Sequence, residues 1–266
     1  MIVDYHMHLR DASGGIDHTA EAAERFAERA AERGVDEIGF TEHVYYFAQT
    51  RDLWTVPYYT ERCVYDLDAY VDALVEAKRR GLPVKTGLEV DWAGDRADEL
   101  AEILAPYPWD YLLGSVHLLG ELAVDKAPGQ GAWVEMGEDE VWQLYVDTLS
   151  AAARSGHFDV LSHPDLAKIW GVRGSDDLYG QLAAAVDDAG VALEISTAGL
   201  RKPVGELYPD PRLLQLSSAP VTLASDAHEP PLVGEDFESA VAFAHANGRV
   251  TVSVFDGRAR RQEPLG

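Results

Sequence analysis

The sequence predicts an α/β fold, a closed or nearly closed seven-stranded parallel βα barrel of the TIM type. Short apolar runs, typical of buried strands, alternate along the chain with amphipathic helical patterns. Seven such units joined by short helix-to-strand returns favour a closed or nearly closed barrel. A doubly wound open sheet is the alternative, but no glycine-rich phosphate loop follows the first apolar run.

The seven predicted strands are short apolar runs. In chain order they cover residues 2–5, 37–41, 84–88, 111–116, 160–162, 192–195 and 221–224. The helical patterns between them carry apolar residues on one face, as Tyr70, Leu74 and Ala77 do in the second. Gly34 and Gly81 mark the ends of the first two. The predicted helices cover residues 19–33, 67–80, 95–104, 138–155, 176–189 and 236–247, with a shorter turn at 212–216.

Two loops are long, residues 43–66 and 118–137, and both follow predicted strands. They therefore belong on the face where barrel enzymes place their sites. Because the chain shows no internal repeat and no interdomain linker, residues 1–266 are predicted to form a single domain. The polar tail, residues 257–266, is predicted to be loose.

Composition narrows the class of partner. The net charge is −24, from 46 acidic and 22 basic residues, and this field repels nucleic acid and anionic membrane surfaces. No apolar run reaches the length of a membrane span, and the first residues lack the features of a secretory signal. The single cysteine, Cys63, excludes an internal disulfide and a cysteine-based zinc site. We therefore expect a cytoplasmic protein with a small-molecule partner.

Eight side chains of the metal-ligand type follow the predicted strands. They are His6, His8, His43, Glu89, His117, His163, Asp226 and His228. Imidazole nitrogen and carboxylate oxygen are ligands that Zn, Mn and Fe accept at hydrolytic sites. The sequence therefore predicts one divalent-metal centre at the C-terminal ends of the strands.

Local spacing supports this centre. His6 and His8 alternate along a strand and so project to the same face, the barrel interior, and Asp226 and His228 repeat this spacing. Glu89 follows a wholly apolar approach, and a buried carboxylate is costly without a cation. A position between two metals would make its burial favourable, and a salt bridge to a nearby base is the alternative.

The remaining candidates are less specific. His117 and His163 each follow a strand singly, and either one alone is more often structural than a ligand. Glu42, beside His43, is expected to point to the opposite side or to orient a ligand. His157 and His245 have the pattern of surface histidines.

The motifs around these residues, in this order and spacing, resemble the polymerase-and-histidinol-phosphatase (PHP) superfamily of metal-dependent phosphoesterases. They are DYHMHL at 4–9, GFTEHV at 39–44, GLEVDW at 87–92, GSVHLLG at 114–120, LSHPD at 161–165 and LASDAHEP at 223–230. The segment EISTAGLRKPVGELYPDP, residues 194–211, is similar to a segment of the PHP-type histidinol-phosphate phosphatases.

The resemblance implies a distorted seven-stranded barrel that hydrolyses L-histidinol phosphate to L-histidinol and phosphate, a step of histidine biosynthesis. It also implies two or three divalent metal ions, with Zn, Mn or Fe as candidates. Attack by a hydroxide bridging two metals is the expected chemistry.

Carried over residue by residue, the resemblance distributes the ligands over three metals. The first would be held by His6, His8, Glu89 and Asp226, the second by Glu89, His117 and His163, and the third in part by His43 and His228. Arg201 would bind the substrate phosphate, and Lys168 stands where the subgroup carries another basic residue. Asp226 or His228 would pass a proton to the leaving alkoxide, so Glu89, Asp226 and His228 are the predicted catalytic residues.

Two positions depart from the family pattern. Ser196 stands where the subgroup usually has asparagine, and Gly14 stands where the family usually supplies another histidine. The third metal therefore lacks a ligand unless Asp11, Asp17 or His18 replaces it. We expect a labile third metal completed by one of these residues, and a two-metal enzyme with a water-filled third site is the alternative.

The sequence leaves three candidate functions. The first is hydrolysis of histidinol phosphate. The second is a PHP phosphoesterase acting on nucleotides or other small phosphate esters, because the negative charge disfavours only long nucleic acids. The third is a non-catalytic metal-binding barrel. The aromatic residues between 45 and 59 are interpreted either as a wall for the imidazole of the substrate or as simple loop packing.

Overall fold

A computed structural model describes residues 1–11 and 13–266. In chain order its strands and α-helices are β1 Val3–Asp4, α1 Ala20–Glu32, β2 Glu37–Phe40, α2 Pro57–Thr60, α3 Leu67–Arg79, β3 Val84–Asp91, α4 Ala97–Leu104, β4 Tyr111–Ser115, β5 Leu118–Leu119, β6 Leu122–Ala123, α5 Ala132–Glu135, α6 Glu138–Arg154, β7 Val160–Leu161, α7 Asp176–Ala189, β8 Ala192–Ser196, α8 Pro211–Leu216, β9 Val221–Ala224, α9 Phe237–Ala246, β10 Thr251–Asp256 and β11 Ala259–Pro264.

Seven parallel strands form the barrel wall in the order β1-β2-β3-β4-β7-β8-β9, so the predicted fold class is confirmed. The first and last strands close on each other. The backbone N–H of Tyr5 donates to the carbonyl of Leu223 at 3.0 Å, and that of His8 donates to Ala227 at 2.9 Å. Closure gives the backbone groups of the two end strands hydrogen-bond partners and brings the two ends of the sequence to one site.

A buried tyrosine fills the space between neighbouring strands. The Tyr111 hydroxyl on β4 donates to the Tyr5 carbonyl at 2.7 Å. A Cβ placed on Gly39 would lie 1.9 Å from that hydroxyl, and one on Gly87 would lie 2.7 Å from Tyr111 Cζ. Glycine is required at both positions because the ring occupies the volume of any larger side chain.

Helices pack around the wall as the periodicity predicts. Helix α1 begins at a capping residue, since the Thr19 hydroxyl accepts from the Ala22 N–H at 3.2 Å. Its Phe26 packs edge to face on Phe40 of β2, with ring centroids 5.4 Å apart. Burial of each such ring contributes on the order of 1.5–3 kcal/mol, which fixes the helix against the strand. Within the described residues, no helix is both long enough and apolar enough to cross a membrane.

The prediction of a loose tail is wrong. Strands β10 and β11 form an antiparallel hairpin through Pro264, and Val252, Val254 and Phe255 are buried. The tail is also held by side chains, since Arg258 Nε donates to Asp159 Oδ2 at 2.8 Å. Strand β11 is polar because it is exposed, and its order comes from backbone pairing that composition does not reveal.

Candidate metal centre

The structure brings the eight predicted ligand side chains together, with Glu89 of β3 at their centre. This side chain is 1% exposed. Its Oε1 atom lies 3.0 Å from His163 Nε2 and 3.4 Å from His117 Nε2. Its Oε2 atom lies 2.6 Å from His43 Nδ1 and 3.4 Å from His6 Nε2. The two oxygens of one carboxylate therefore face two different groups of histidines.

Asp226 approaches from the last barrel strand. Its Oδ1 atom lies 3.3 Å from His8 Nε2, 3.8 Å from His6 Nε2 and 3.5 Å from His228 Nδ1. The His8 ring stacks on His228 with centroids 4.1 Å apart and lies 4.5 Å from the His43 ring. His8 is thus shared between two neighbouring groups of ligands.

Ligand atoms of seven of the eight side chains fall into three sets, each with all its atoms within 4.8 Å of one another, and Asp226 belongs to none of these sets. The sets are His6 with His8 and Glu89, then Glu89 with His117 and His163, then His8 with His43 and His228. Several of these atoms are buried and lack a hydrogen-bond partner among the described residues: His6 Nε2, His8 Nε2, His43 Nδ1 and Glu89 Oε2. Unpaired buried donors and acceptors are costly, and a divalent cation would give them a common partner.

Electrostatics point the same way. Burial alone would lower the pKa of His6, but the carboxylates of Glu194, Glu89 and Asp226 outweigh it and hold that pKa well above its usual value. Burial likewise opposes protonation of His117, and Asp91 with Glu89 nevertheless raises its pKa to about 10. Without a cation, the centre therefore attracts protons to these two imidazoles, whereas burial lowers the pKa of His8, His43 and His228.

Two ligand positions carry an unusual backbone conformation. His163 has φ of 24° and Asp226 has φ of 52°, and these are two of only four non-glycine residues with positive φ in the described chain. Such conformations cost free energy and persist where the surrounding structure imposes them, often at functional sites. They turn both side chains toward Glu89 and its neighbours.

Carboxylates behind the histidines fix their orientation. Glu194 Oε2 lies 2.8 Å from His6 Nδ1, and Asp91 Oδ1 lies 2.8 Å from His117 Nδ1. Glu42 Oε2 lies 3.6 Å from His8 Nδ1, on the side of the ring away from the metal centre. This separation is beyond hydrogen-bond distance, so Glu42 contributes charge there without a hydrogen bond. The position of Asp91 near the ligands could have been predicted, because it follows Glu89 by two residues and so lies on the same face of the strand. Glu194 carries no such signal in the sequence.

The two predicted phosphate ligands differ in accessibility. Arg201 lies in a 3₁₀ helix after β8, with a quarter of its side chain exposed. Its guanidinium donates to the Ser225 carbonyl, directly before Asp226, and lies 3.4 Å from Glu235. Lys168 is fully buried, with its ammonium 3.1 Å from Asp165 and donating to the Leu207 carbonyl at 2.8 Å. A direct contact between Lys168 and phosphate stays a prediction, since an ammonium has one further donor.

The three side chains expected to complete a third metal site have other partners in the structure. Asp11 Oδ1 accepts from the N–H of Ser13 and of Gly15 within its own turn. Asp17 pairs with Arg25 at 3.1 Å, and His18 lies 3.9 Å from Glu42. Among the described residues none of the three predicted candidates joins a ligand set, and His8 stands with His43 and His228 in the third set. Completion of a third metal site by Asp11, Asp17 or His18 stays a prediction, because His8 presents one nitrogen, Nε2, to the centre and one nitrogen serves one ion.

The fold and this site define a class, a parallel βα barrel with a divalent-metal centre at the C-terminal ends of its strands. A model of the PHP domain matches residues 4–198. The chain belongs to the PHP domain family.

Relatives and solved structures agree with this membership. A probable histidinol-phosphatase of Deinococcus radiodurans is 32% identical over 256 residues, covering 93% of this chain and 94% of the relative. The histidinol-phosphatase of Bacillus subtilis is 26% identical, covering 89% and 97%. A crystal structure of histidinol phosphate phosphatase from Lactococcus lactis, complexed with zinc, L-histidinol and phosphate, has a TM-score of 0.73 at 19% identity and covers 98% of each chain. That structural likeness supports the barrel, and the resemblance seen in the sequence motifs is confirmed.

Proposed function

We propose that this protein is a phosphoric monoester hydrolase that converts L-histidinol phosphate to L-histidinol and phosphate. The observation that carries the proposal is the contact of one buried carboxylate, Glu89, with five histidines from four barrel segments. The relatives named as histidinol-phosphatases along most of the chain supply the substrate.

The ligand sets would hold two divalent ions, or three if another side chain completes the set of His43 and His228, because His8 belongs to two sets and can serve one ion through Nε2. Zinc is the first candidate because a similar solved protein contains it. Glu89 belongs to two of the sets and would connect two ions. Divalent ions bound there would polarise the phosphoryl oxygens and lower the pKa of water, which this slow hydrolysis needs.

The protein groups would position the substrate and move protons. Arg201 at the rim would present its planar fork to non-bridging phosphate oxygens, with Glu235 and the Ser225 carbonyl limiting its motion. His228 is the ligand side chain open to solvent, with 46% of its area exposed, and lies beside Asp226. This pair suits exchange of a proton with the leaving oxygen. Lys168 would add positive charge from behind.

Phosphate release tests the proposal. Metal-depleted protein should be inactive, and zinc or manganese should restore hydrolysis of histidinol phosphate in preference to a nucleoside monophosphate and an aryl phosphate. Metal should also raise the melting temperature, because ions that bind only the folded state stabilise it. Preference for the nucleotide would favour the other phosphoesterase function, and metal binding without any hydrolysis would leave a non-catalytic barrel.

A further inference from the structure

A chain of contacts runs through the long loop after β2 and joins two candidate metal ligands. The Tyr59 hydroxyl donates to Asp91 Oδ1 at 2.6 Å, and the same oxygen lies 2.8 Å from His117 Nδ1. The Tyr59 ring stacks on Tyr45, with centroids 3.9 Å apart and 6° between the planes. Tyr45 in turn stacks on His43 at 4.8 Å. We call Tyr45 and Tyr59 the tyrosine bridge.

The two histidines that the tyrosine bridge connects belong to different ligand sets. His43 lies with His8 and His228, and His117 lies with Glu89 and His163. One loop therefore contacts both outer edges of the centre. Both tyrosines are buried, at 5% and 2% exposure, so neither contact exchanges freely with water.

The proton positions in the bridge follow from its chemistry. Burial raises the pKa of Tyr59 above its usual value, so its hydroxyl keeps its proton and donates. Asp91 Oδ1 accepts from the Tyr59 hydroxyl, and as a carboxylate oxygen it also accepts from the nitrogen of His117 that faces it, which must then carry a proton. Nε2 of His117, which faces Glu89, is then the nitrogen that would lose its proton and bind a metal.

Asp91 depends on Tyr59 for its own orientation. Its second oxygen, Oδ2, is buried and has no hydrogen-bond partner among the described residues. The carboxylate is thus held through Oδ1 alone, by one tyrosine and one histidine. Without the Tyr59 hydroxyl, the Asp91 carboxylate would be held only by His117, the residue that it is expected to orient.

We propose that Tyr59 is a positioning residue for metal binding, which fixes His117 through Asp91, and that stacked Tyr45 extends the same restraint to His43. The proposal rests on the proposed metal centre. It gives the loop a role other than a wall around the substrate, because both ends of the bridge reach ligands.

The test is zinc affinity, measured by competition with a chromophoric chelator. Tyr59→Phe should bind as many zinc ions as the unmodified protein at saturation, with one of them held ~10-fold more weakly, the lower end of the cost of losing an outer partner of a ligand. Activity lost at limiting zinc should return when zinc is added. Tyr58→Phe is the matched control, since Tyr58 is the adjacent residue, is 48% exposed, and should behave as the unmodified protein.

Two further variants separate positioning from packing. Asp91→Asn should weaken zinc binding more than Tyr59→Phe, and adding Tyr59→Phe to it should have little further effect if the tyrosine acts through Asp91. Tyr45→Phe keeps the stacked ring and should be neutral, whereas Tyr45→Leu should weaken the ion at His43.

The outcomes distinguish this inference from the proposed function. If the unmodified protein binds no zinc, the metal centre itself fails. If zinc binds and Tyr59→Phe changes its affinity less than twofold, the bridge does not position His117. Normal zinc affinity with slow turnover in Tyr59→Phe would also overturn the inference, because the hydroxyl would then act on the substrate.

Discussion

Glu194 Oε2 lies 2.8 Å from His6 Nδ1, on the ring edge opposite Glu89, and its Oε1 accepts the backbone N–H of His163 at 3.1 Å. One buried carboxylate therefore orients the ring of one candidate ligand and holds the backbone of another at its positive φ. An ionised carboxylate accepts at both oxygens, so His6 is protonated at Nδ1 and presents Nε2 to the cage.

Glu194→Gln should weaken metal binding. A glutamine has one acceptor oxygen, so either His6 or the His163 N–H loses its partner. We expect ~10–100-fold lower zinc affinity, the usual cost of losing an outer partner of a metal ligand. Chelator competition measures the effect. An unchanged affinity would show that strand geometry alone orients His6.

Glu89→Gln should have the largest effect of any single substitution at the centre, because it removes the charge that faces both groups of histidines. We expect at least ~100-fold lower kcat, comparable to the loss of one strong electrostatic contact at a reacting centre. Glu99→Gln, at an exposed glutamate of α4, serves as the control. A near-normal rate with full metal content would show that Glu89 does not connect two ions.

Arg201→Ala should weaken binding of the phosphoryl group in the transition state. Loss of a charge-assisted forked contact should cost on the order of 2–4 kcal/mol in kcat/KM. Arg201→Lys should recover only part, because an ammonium lacks the fork. Lys202→Ala, at the exposed neighbour, should leave the kinetics and metal content unchanged. Equal phosphate affinity in Arg201→Ala and the unmodified protein would place Arg201 outside the substrate site.

Lys168→Met should act first on stability. The ammonium and the Asp165 carboxylate are both buried, and removal of one partner leaves an uncompensated charge. We expect the free energy of unfolding to fall by ~3–5 kcal/mol, as measured by urea denaturation. The double variant with Asp165→Asn should recover part of the loss. A fully stable Lys168→Met protein with a raised KM would instead support direct contact with the substrate.

Zinc binding should release protons. The pKa of His117 is raised to about 10 and that of His6 is also raised, so both imidazoles are protonated in the metal-free protein near neutral pH. A ligating nitrogen must lose its proton, so apparent zinc affinity should increase as pH rises toward 10. Calorimetry in two buffers of different ionisation enthalpy counts the released protons. Binding heats that are independent of the buffer would contradict the raised pKa values.

The barrel and the grouping of the candidate ligands could be predicted because both follow from local sequence patterns. Alternating spacing places His6 with His8, and each ligand follows an apolar strand. The carboxylates behind the ligands were harder to predict from the sequence, since Glu194 and His6 are in contact but lie 188 positions apart. The burial of Lys168 also escaped prediction, because Asp165 three positions earlier looks like an ordinary surface charge and the sequence does not show that the pair is enclosed. The hairpin at the C-terminus was missed because an exposed paired strand has the composition of a coil.

Closure of β1 on β9 also determines when the site can exist during protein synthesis. His6 and His8 leave the ribosome early, whereas Asp226 and His228 are made more than two hundred residues later. A nascent chain that lacks the last barrel strand has neither the Leu223 carbonyl nor the Asp226 carboxylate to offer them. Metal loading at the part of the centre that Asp226 and His228 complete should therefore await the last barrel strand, and a stalled chain that ends before residue 221 should retain no tightly bound zinc there.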